Sequence, residues 1–279
     1  MSSSEQEESY MNLSNIELIE EIKYPDRASK IIWSINSNNI LPVSSEIIEL
    51  IQNNKITVQM VRNLLEKFSY IRRKDINLFA ELYVQLLNGC PQMVYTEHSN
   101  LSKLIYYKRH ESDKYNSEVE EVLNLYPKDS PLYYIAWDKV DDLKTKFPNL
   151  DVNKNFHFSY SSLDCALEYG SELCFNYLRN LGAKYNQFSE SYAVKGGNIN
   201  IMSQMLEDGL SFYCMIDYAL NYHNFEIAEY LRSNLGQYSH SISGCMNYGN
   251  FDFASYLLSN GADVDRGFNF FLFISIFVL

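Results

Sequence analysis

Apolar side chains between residues 163 and 265 come in short bursts, three and four positions apart. Ile227, Tyr230 and Leu231 form one burst and Phe253, Tyr256 and Leu257 another, a spacing that lays them along one face of a helix. Before each burst stands a second short apolar run, cut off by a Gly or His and then a Ser or Asn: Gly170-Ser171, Gly197-Asn198, His223-Asn224 and Gly249-Asn250. Such a pair stops one helix and caps the next. Asn224, with Glu226 in the turn that follows, is the expected N-cap of its helix.

Four residues ahead of every break sits a small anchor: Ala166, Ala193, Ala219 or Cys245. Eight after each anchor comes Cys174, Ile201, Ile227 or Phe253, and a glycine closes each unit at Gly182, Gly209, Gly236 or Gly261. The pattern predicts helix pairs over 163–186, 190–213, 216–239 and 242–265. The anchors keep a nearly fixed period of about 26 residues, and such a period is the mark of stacked repeats. One pair alone is too small to hold itself folded. The small anchors let neighbouring helix backbones approach closely.

Toward the N-terminus the helical spacing continues without the repeat. Ser14 and Glu17 form a capping-box pattern for a short helix through Leu18, Ile19 and Ile22, ending near Pro25. Further helices are expected over 26–38, burying Ile31, Ile32, Trp33 and Ile35; from Ser44 or Ser45 through Ile51; from Thr57 through Phe68; from Asp75 to Gly89; and over 117–125. Alternating stretches that would argue strands are scarce. Residues 1–8 read as a disordered acidic tail, 9–125 as a helical region whose 25–90 bundle covers the first face of the stack, and 126–266 as repeats. Residues 267–279 form an apolar tail, either a cap or a truncated continuation.

The fourth unit, from Tyr248-Gly249-Asn250 through Leu257-Leu258 to Gly261-Ala262-Asp263-Val264-Asp265, resembles the ankyrin repeat, with its Gly-His break, Leu-Leu and Gly-Ala-Asp-Val-Asn. Ser130-Pro131-Leu132-Tyr133, followed by Leu143, Phe147 and Asp151-Val152-Asn153, resembles the start and end of a further repeat over 130–153. The period here is shorter than that of ankyrin repeats, which is about 33 residues. The deficit lies between the closing Gly and the next anchor, so Gly209 to Ala219 has room for a tight turn but not for the β-hairpin finger. Ala166-Leu167-Glu168-Tyr169-Gly170-Ser171, Ala193-Val194-Lys195-Gly196-Gly197-Asn198 and Tyr222-His223-Asn224 together are similar to a divergent, uncharacterised domain that adjoins ankyrin repeats in large families of unicellular eukaryotes. That likeness spans 130–265 and, more loosely, 25–125. It implies ankyrin-like stacking and a protein partner, and carries no catalytic residue. The expected fold is all-α: an ankyrin-like helical-repeat solenoid with a helical N-terminal bundle.

Composition narrows the function. The net charge of −12, half of it from six glutamates in the first 22 residues, makes nucleic acid a poor partner. Arg72-Arg73-Lys74 is too small a cluster to reverse that and reads as a solvated helix end. Five cysteines without a Cys-x-x-Cys, and no signal peptide, fit a reducing, cytoplasmic setting. His98, His110, His157, His223 and His240 share no metal-ligand spacing, and His223 holds a helix-break position. Phosphate-loop, dinucleotide and nucleophile-elbow motifs are missing from the sequence. No catalytic residue, metal or cofactor is therefore expected.

The positive candidates are aromatic. Tyr169, Tyr222 and Tyr248 share one register position, with Gly196 in the second unit, and form either a recognition row or inter-repeat packing. The 154–162 connection is the one long enough to project, and it carries Phe156, Phe158 and Tyr160 as further candidates for partner contact or local packing. The expected function is a non-catalytic protein-interaction scaffold. The alternative is a membrane-associated adaptor tethered by the apolar 268–279 run, which falls short of the roughly 20 residues a span needs.

Overall fold

A computed structural model of the chain describes residues 18, 20–94, 99–110, 116–239 and 241–259. Its helices, in order, are α1 (Lys23–Trp33), α2 (Ile40–Gln52), α3 (Val58–Ile71), α4 (Ile76–Gly89), α5 (Asn100–His110), α6 (Asn116–Asn124), α7 (Pro131–Ala136) and α8 (Val140–Lys146). Strands β1 (Asn155–His157) and β2 (Tyr160–Ser161) form an antiparallel hairpin. Then come α9 (Ser162–Glu168), α10 (Glu172–Asn180), α11 (Ser189–Gly196), α12 (Ile199–Glu207), α13 (Ile216–Asn221), α14 (Phe225–Leu235), α15 (Ile242–Asn247) and α16 (Phe251–Ser259). The architecture is all-α and built from repeated helix pairs. The hairpin is the one sheet among the described residues, and it occupies the connection expected to project.

Several helix ends differ from the sequence expectation for local reasons. Pro25 lies within the first turn of α1, where its missing N–H leaves no bond unmade, so it does not end a helix. α2 starts at Ile40, with Pro42 in its first turn. Ser44 and Ser45 are therefore inside it, donating back to the Leu41 carbonyl at 2.8 and 3.0 Å rather than capping. Thr57 does open α3, its hydroxyl accepting the Met60 N–H at 3.1 Å. The 1–8 tail, the Ser14–Glu17 capping box, His98, His240, the last turn of the fourth repeat with Gly261, and the 267–279 tail lie outside the described residues.

The chain divides into two compact units. Of the described residues, the larger takes 69–84, 99–110 and 116–239, and so holds α7 through α14. In it the anchors Ala166, Ala193 and Ala219 are fully buried on α9, α11 and α13, which pack in succession. The smaller takes, again of the described residues, 18, 20–68, 85–94 and 241–259. Here α1 packs on α16, the Ser29 hydroxyl donates to the Gly249 carbonyl at 2.6 Å, and Lys30 pairs with Asp26 and Asp252. The N-terminal helices, expected to cover the first face of the stack, thus group differently: residues 20–68 sit with the last helix pair, around the Cys245 anchor, and only 69–84 sit with the earlier repeats.

Within the larger unit, polar side chains stitch each repeat to the one before. At the position after the break, the Ser171 hydroxyl donates to the Ala136 carbonyl, the Asn198 amide to the Gly170 carbonyl, and the Asn224 amide to the Val194 and Lys195 carbonyls at 2.6 and 3.1 Å. Asn198 also caps α12, accepting from the Asn200 and Ile201 N–H groups. Asn224 stands at the N-cap of α14 but makes no capping bond; its side-chain bonds run only to the preceding repeat. Asp138 works the same way across repeats, accepting the Leu173 and Cys174 N–H groups at 3.2 and 2.8 Å and so capping α10. At the breaks themselves, Gly170, Gly197 and Gly249 are left-handed, and His223 takes the same conformation with φ 56°. No described helix is long and apolar enough to cross a membrane.

Candidate functional site

The densest polar cluster in the larger unit grows from the turn between α3 and α4. A 3-10 turn over Arg73–Asp75 bends the chain there. Arg72 closes it by gripping one Asp75 oxygen with two donors, at 3.0 and 2.8 Å. That leaves Arg73 and Lys74 to reach the C-terminal end of α9. Arg73 donates to Glu168 Oε1 at 3.4 Å, and Lys74 Nζ to the Tyr169 carbonyl at 3.4 Å. Both cations lie over the Tyr169 ring, and Lys74 also lies 5.7 Å from the Trp137 ring.

Glu168 is the hub. Its side chain is only 7% exposed, and its Oε1 takes the Lys195 ammonium of α11 at 2.5 Å. Its Oε2 accepts the Tyr160 hydroxyl at 2.5 Å, and Tyr160 meets the Tyr126 hydroxyl at 3.1 Å. Lys195, 13% exposed, is flanked by the rings of Tyr70 at 4.9 Å and Tyr222 at 5.4 Å. Burial pushes the Tyr126, Tyr160 and Tyr169 phenols well above the usual tyrosine range, with the Glu168 charge adding to the effect, so all three are neutral. Burial also raises the Cys165 thiol, and it lowers the Lys74 amine. A cavity of about 180 Å³ opens beside the cluster, lined by Arg72, Arg73, Lys74, Asp75, Glu168, Tyr169, Lys195 and Gly196 among others.

Residues 183–258 match the family model of a domain of unknown function, DUF3447. The match runs from the end of the α9–α10 repeat to α16. No curated protein and no solved structure matches the chain.

The candidates from sequence fall into three groups. Tyr169, Tyr222 and Tyr160 are drawn into the cluster around Glu168 and Lys195. Tyr248 belongs to the smaller unit, where Lys67 lies 4.7 Å from its ring. Each ring of the tyrosine row is thus half-buried with a cation over it. Phe156 is half-buried in β1, whereas Phe158, at the hairpin turn with φ 45°, is fully exposed at 103%. The following connections carry exposed aromatics too: Phe188, Tyr213 at 78% and Tyr238 at 67%.

Arg72-Arg73-Lys74 is not the solvated helix end that its composition suggests, because Asp75, Glu168 and Tyr169 engage it. Glu168 and Lys195 escaped the sequence reading, although the signal was present. Each stands two positions after the anchor of its own repeat, so opposite charges occupy one register position in adjacent repeats. Among the described residues, no group of three or more His, Cys, Asp and Glu side chains is placed to hold a metal ion.

Proposed function

We propose that the chain is a non-catalytic scaffold that binds a protein partner through its repeats, in the manner of ankyrin-type stacks. The observation that carries this reading is the exposed aromatic at successive connections: Phe158, Phe188, Tyr213 and Tyr238. Tyr70, Tyr218 and Phe225 are exposed on helices as well, but the connections present one ring each in succession, and such rings are the residues that anchor interfaces. The backbone beneath them is held rigid. Glu190 accepts the Ser211 and Phe212 N–H groups, and Gln237 accepts those of Met215 and Ile216 while donating to the Phe212 carbonyl. Pre-ordered rings lose little entropy on binding.

The tyrosine row contributes less as a free surface than sequence suggested, since cations already occupy its ring faces. Its role in the proposal is to fix the rim from which the connections project. Affinity capture followed by mass spectrometry, comparing the wild type with a Phe158→Ala/Tyr213→Ala/Tyr238→Ala variant, tests the reading. The variant is expected to keep its melting temperature and to lose specific partners. An unchanged partner set with an intact fold removes the connections from the interface.

A further inference from the structure

The cavity beside Glu168 holds more positive charge than its own carboxylates neutralise. Its lining carries Arg72, Arg73, Lys74 and Lys195 against Asp75 and Glu168. Arg72 is satisfied by Asp75, while Arg73 and Lys195 share a single oxygen of Glu168. Of the five N–H donors on Arg73, one is used on protein, at 3.4 Å. Lys74 forms no ion pair with any described carboxylate; its ammonium rests on the Tyr169 carbonyl and two aromatic rings. Two positive charges therefore remain over, in a chain whose net charge is −12. An acidic protein that concentrates uncompensated cations around one hollow is arranged to receive an anion there.

We propose that this cavity binds a phosphate monoester dianion, carried on a phosphorylated side chain of the partner protein. The inference deepens the scaffold reading and rests on it for the source of the phosphate. Charge matching selects the ligand. A phosphomonoester carries about −1.5 to −2 at neutral pH and answers the excess, whereas a carboxylate leaves one cation unmatched. Arg73 offers paired donors and Lys74 a point charge, the two modes by which proteins hold phosphate oxygens. Nucleic acid fits worse, because a phosphodiester strand needs a track of cations over successive phosphates and the site offers one cluster.

Calorimetry on the full chain provides the test, with five probes: inorganic phosphate, acetate, a short phosphoserine peptide, its glutamate counterpart, and a single-stranded oligonucleotide. Lys74→Gln is the informative variant, because Lys74 has no ion pair whose loss would unfold the protein. The wild type is expected to bind phosphate and the phosphopeptide, more weakly as salt rises. Lys74→Gln should weaken both by about tenfold, the loss of one charge-assisted contact, with an unchanged melting temperature, and Lys74→Arg should restore them. Acetate and the glutamate peptide should bind at least about tenfold more weakly than their phosphate counterparts. No saturable heat with phosphate, equal affinity for carboxylate, or indifference to Lys74→Gln overturns the site. Tighter binding of the oligonucleotide than of the phosphopeptide overturns the proposed source. If the phosphate probes fail while partner capture still depends on Phe158, Tyr213 and Tyr238, the scaffold reading stands and this one falls; intact phosphate binding without partner capture keeps the anion site and overturns both the scaffold and the partner as the source of the phosphate.

Discussion

Replacing Gly196 with Ala is the sharpest test of how closely the repeats stack. A Cβ at this position, the last residue of α11, lies 1.9 Å from the Leu167 carbonyl oxygen and 2.8 Å from the Gly170 nitrogen. Both are backbone atoms at the end of α9, so no side chain can turn aside to make room. A carbon and a carbonyl oxygen settle no closer than roughly 3.3 Å, so α11 must draw away from α9 by more than an ångström. That movement opens the packing of α11 on α9, where the anchors Ala166 and Ala193 are buried, and a gap of 0.5–1 Å forfeits about a quarter to a half of the dispersion attraction there. Against this, alanine in place of glycine favours a helix by about 1 kcal/mol. Overpacking costs roughly 1–3 kcal/mol, and with the lost packing the net destabilisation is about 2–4 kcal/mol.

Urea unfolding, followed by hydrogen exchange on peptides from α9 and α11, measures the effect in the unit concerned. Gly209→Ala is the control. A Cβ there meets nothing within 4 Å, and only its left-handed φ of 94° opposes it, a penalty of roughly 1–2 kcal/mol. Gly196→Ala is expected to lose more stability and to lose it locally, with faster exchange in α9 and α11. A Gly196→Ala protein as stable as the wild type, with exchange in those helices unchanged, refutes close backbone stacking as the reason for glycine in this register.

Other variants probe the polar parts. Glu168→Ala strands Lys195 and Arg73 against buried surroundings and should destabilise by about 3–5 kcal/mol, with Glu168→Gln milder because it still accepts from Tyr160; urea midpoints check both. Asp138→Ala removes the cap that one repeat provides to the next and should cost about 1–2 kcal/mol, seen as faster exchange in the first turn of α10. Alkali should unfold the larger unit. Tyr126, Tyr160 and Tyr169 have folded values above the unfolded value near 10, so their contribution is complete below pH 10 and is lost as pH rises past it, at up to about 1.4 kcal/mol per pH unit for each. Melting temperatures across pH 9–11, with Tyr160→Phe expected to flatten the fall, measure it.

What could be read in advance was whatever repeats. The small anchors, the left-handed breaks and the apolar face of each second helix recur with a nearly constant period, so each copy corroborates the others. Helix ends in the non-repeating N-terminal part had no such support. Pro25 and Pro42 look like terminators in one dimension, yet both stand in first turns, where proline is tolerated. The contact of the Arg73 turn with the polar cluster lay beyond reach for a different reason. Arg73 and Glu168 are 95 residues apart, and nothing local in either segment says that the turn after α3 meets the end of α9.

The residue after each break shows where a repeat pattern misleads even when it is recognised. Ser and Asn are strong N-caps, and Asn198 does cap its helix. Asn224, in the same register, instead donates both of its bonds backward, and α14 is left without a side-chain cap. Gly197 has no side chain, so the Asn224 carboxamide occupies the space that a Cβ there would need, with its Oδ1 2.4 Å from that point. From that position its amide reaches the carbonyls of Val194 and Lys195. A helix-capping signature in a stacked protein therefore describes two partners, its own helix and the preceding repeat; Asn198 serves both, and Asn224 only the second. Filling that space with Gly197→Ala should push Asn224 off the Val194 and Lys195 carbonyls, so the two repeats should loosen together, seen as faster exchange in both α11 and α14. If only α11 loosens, Asn224 is not the link between them.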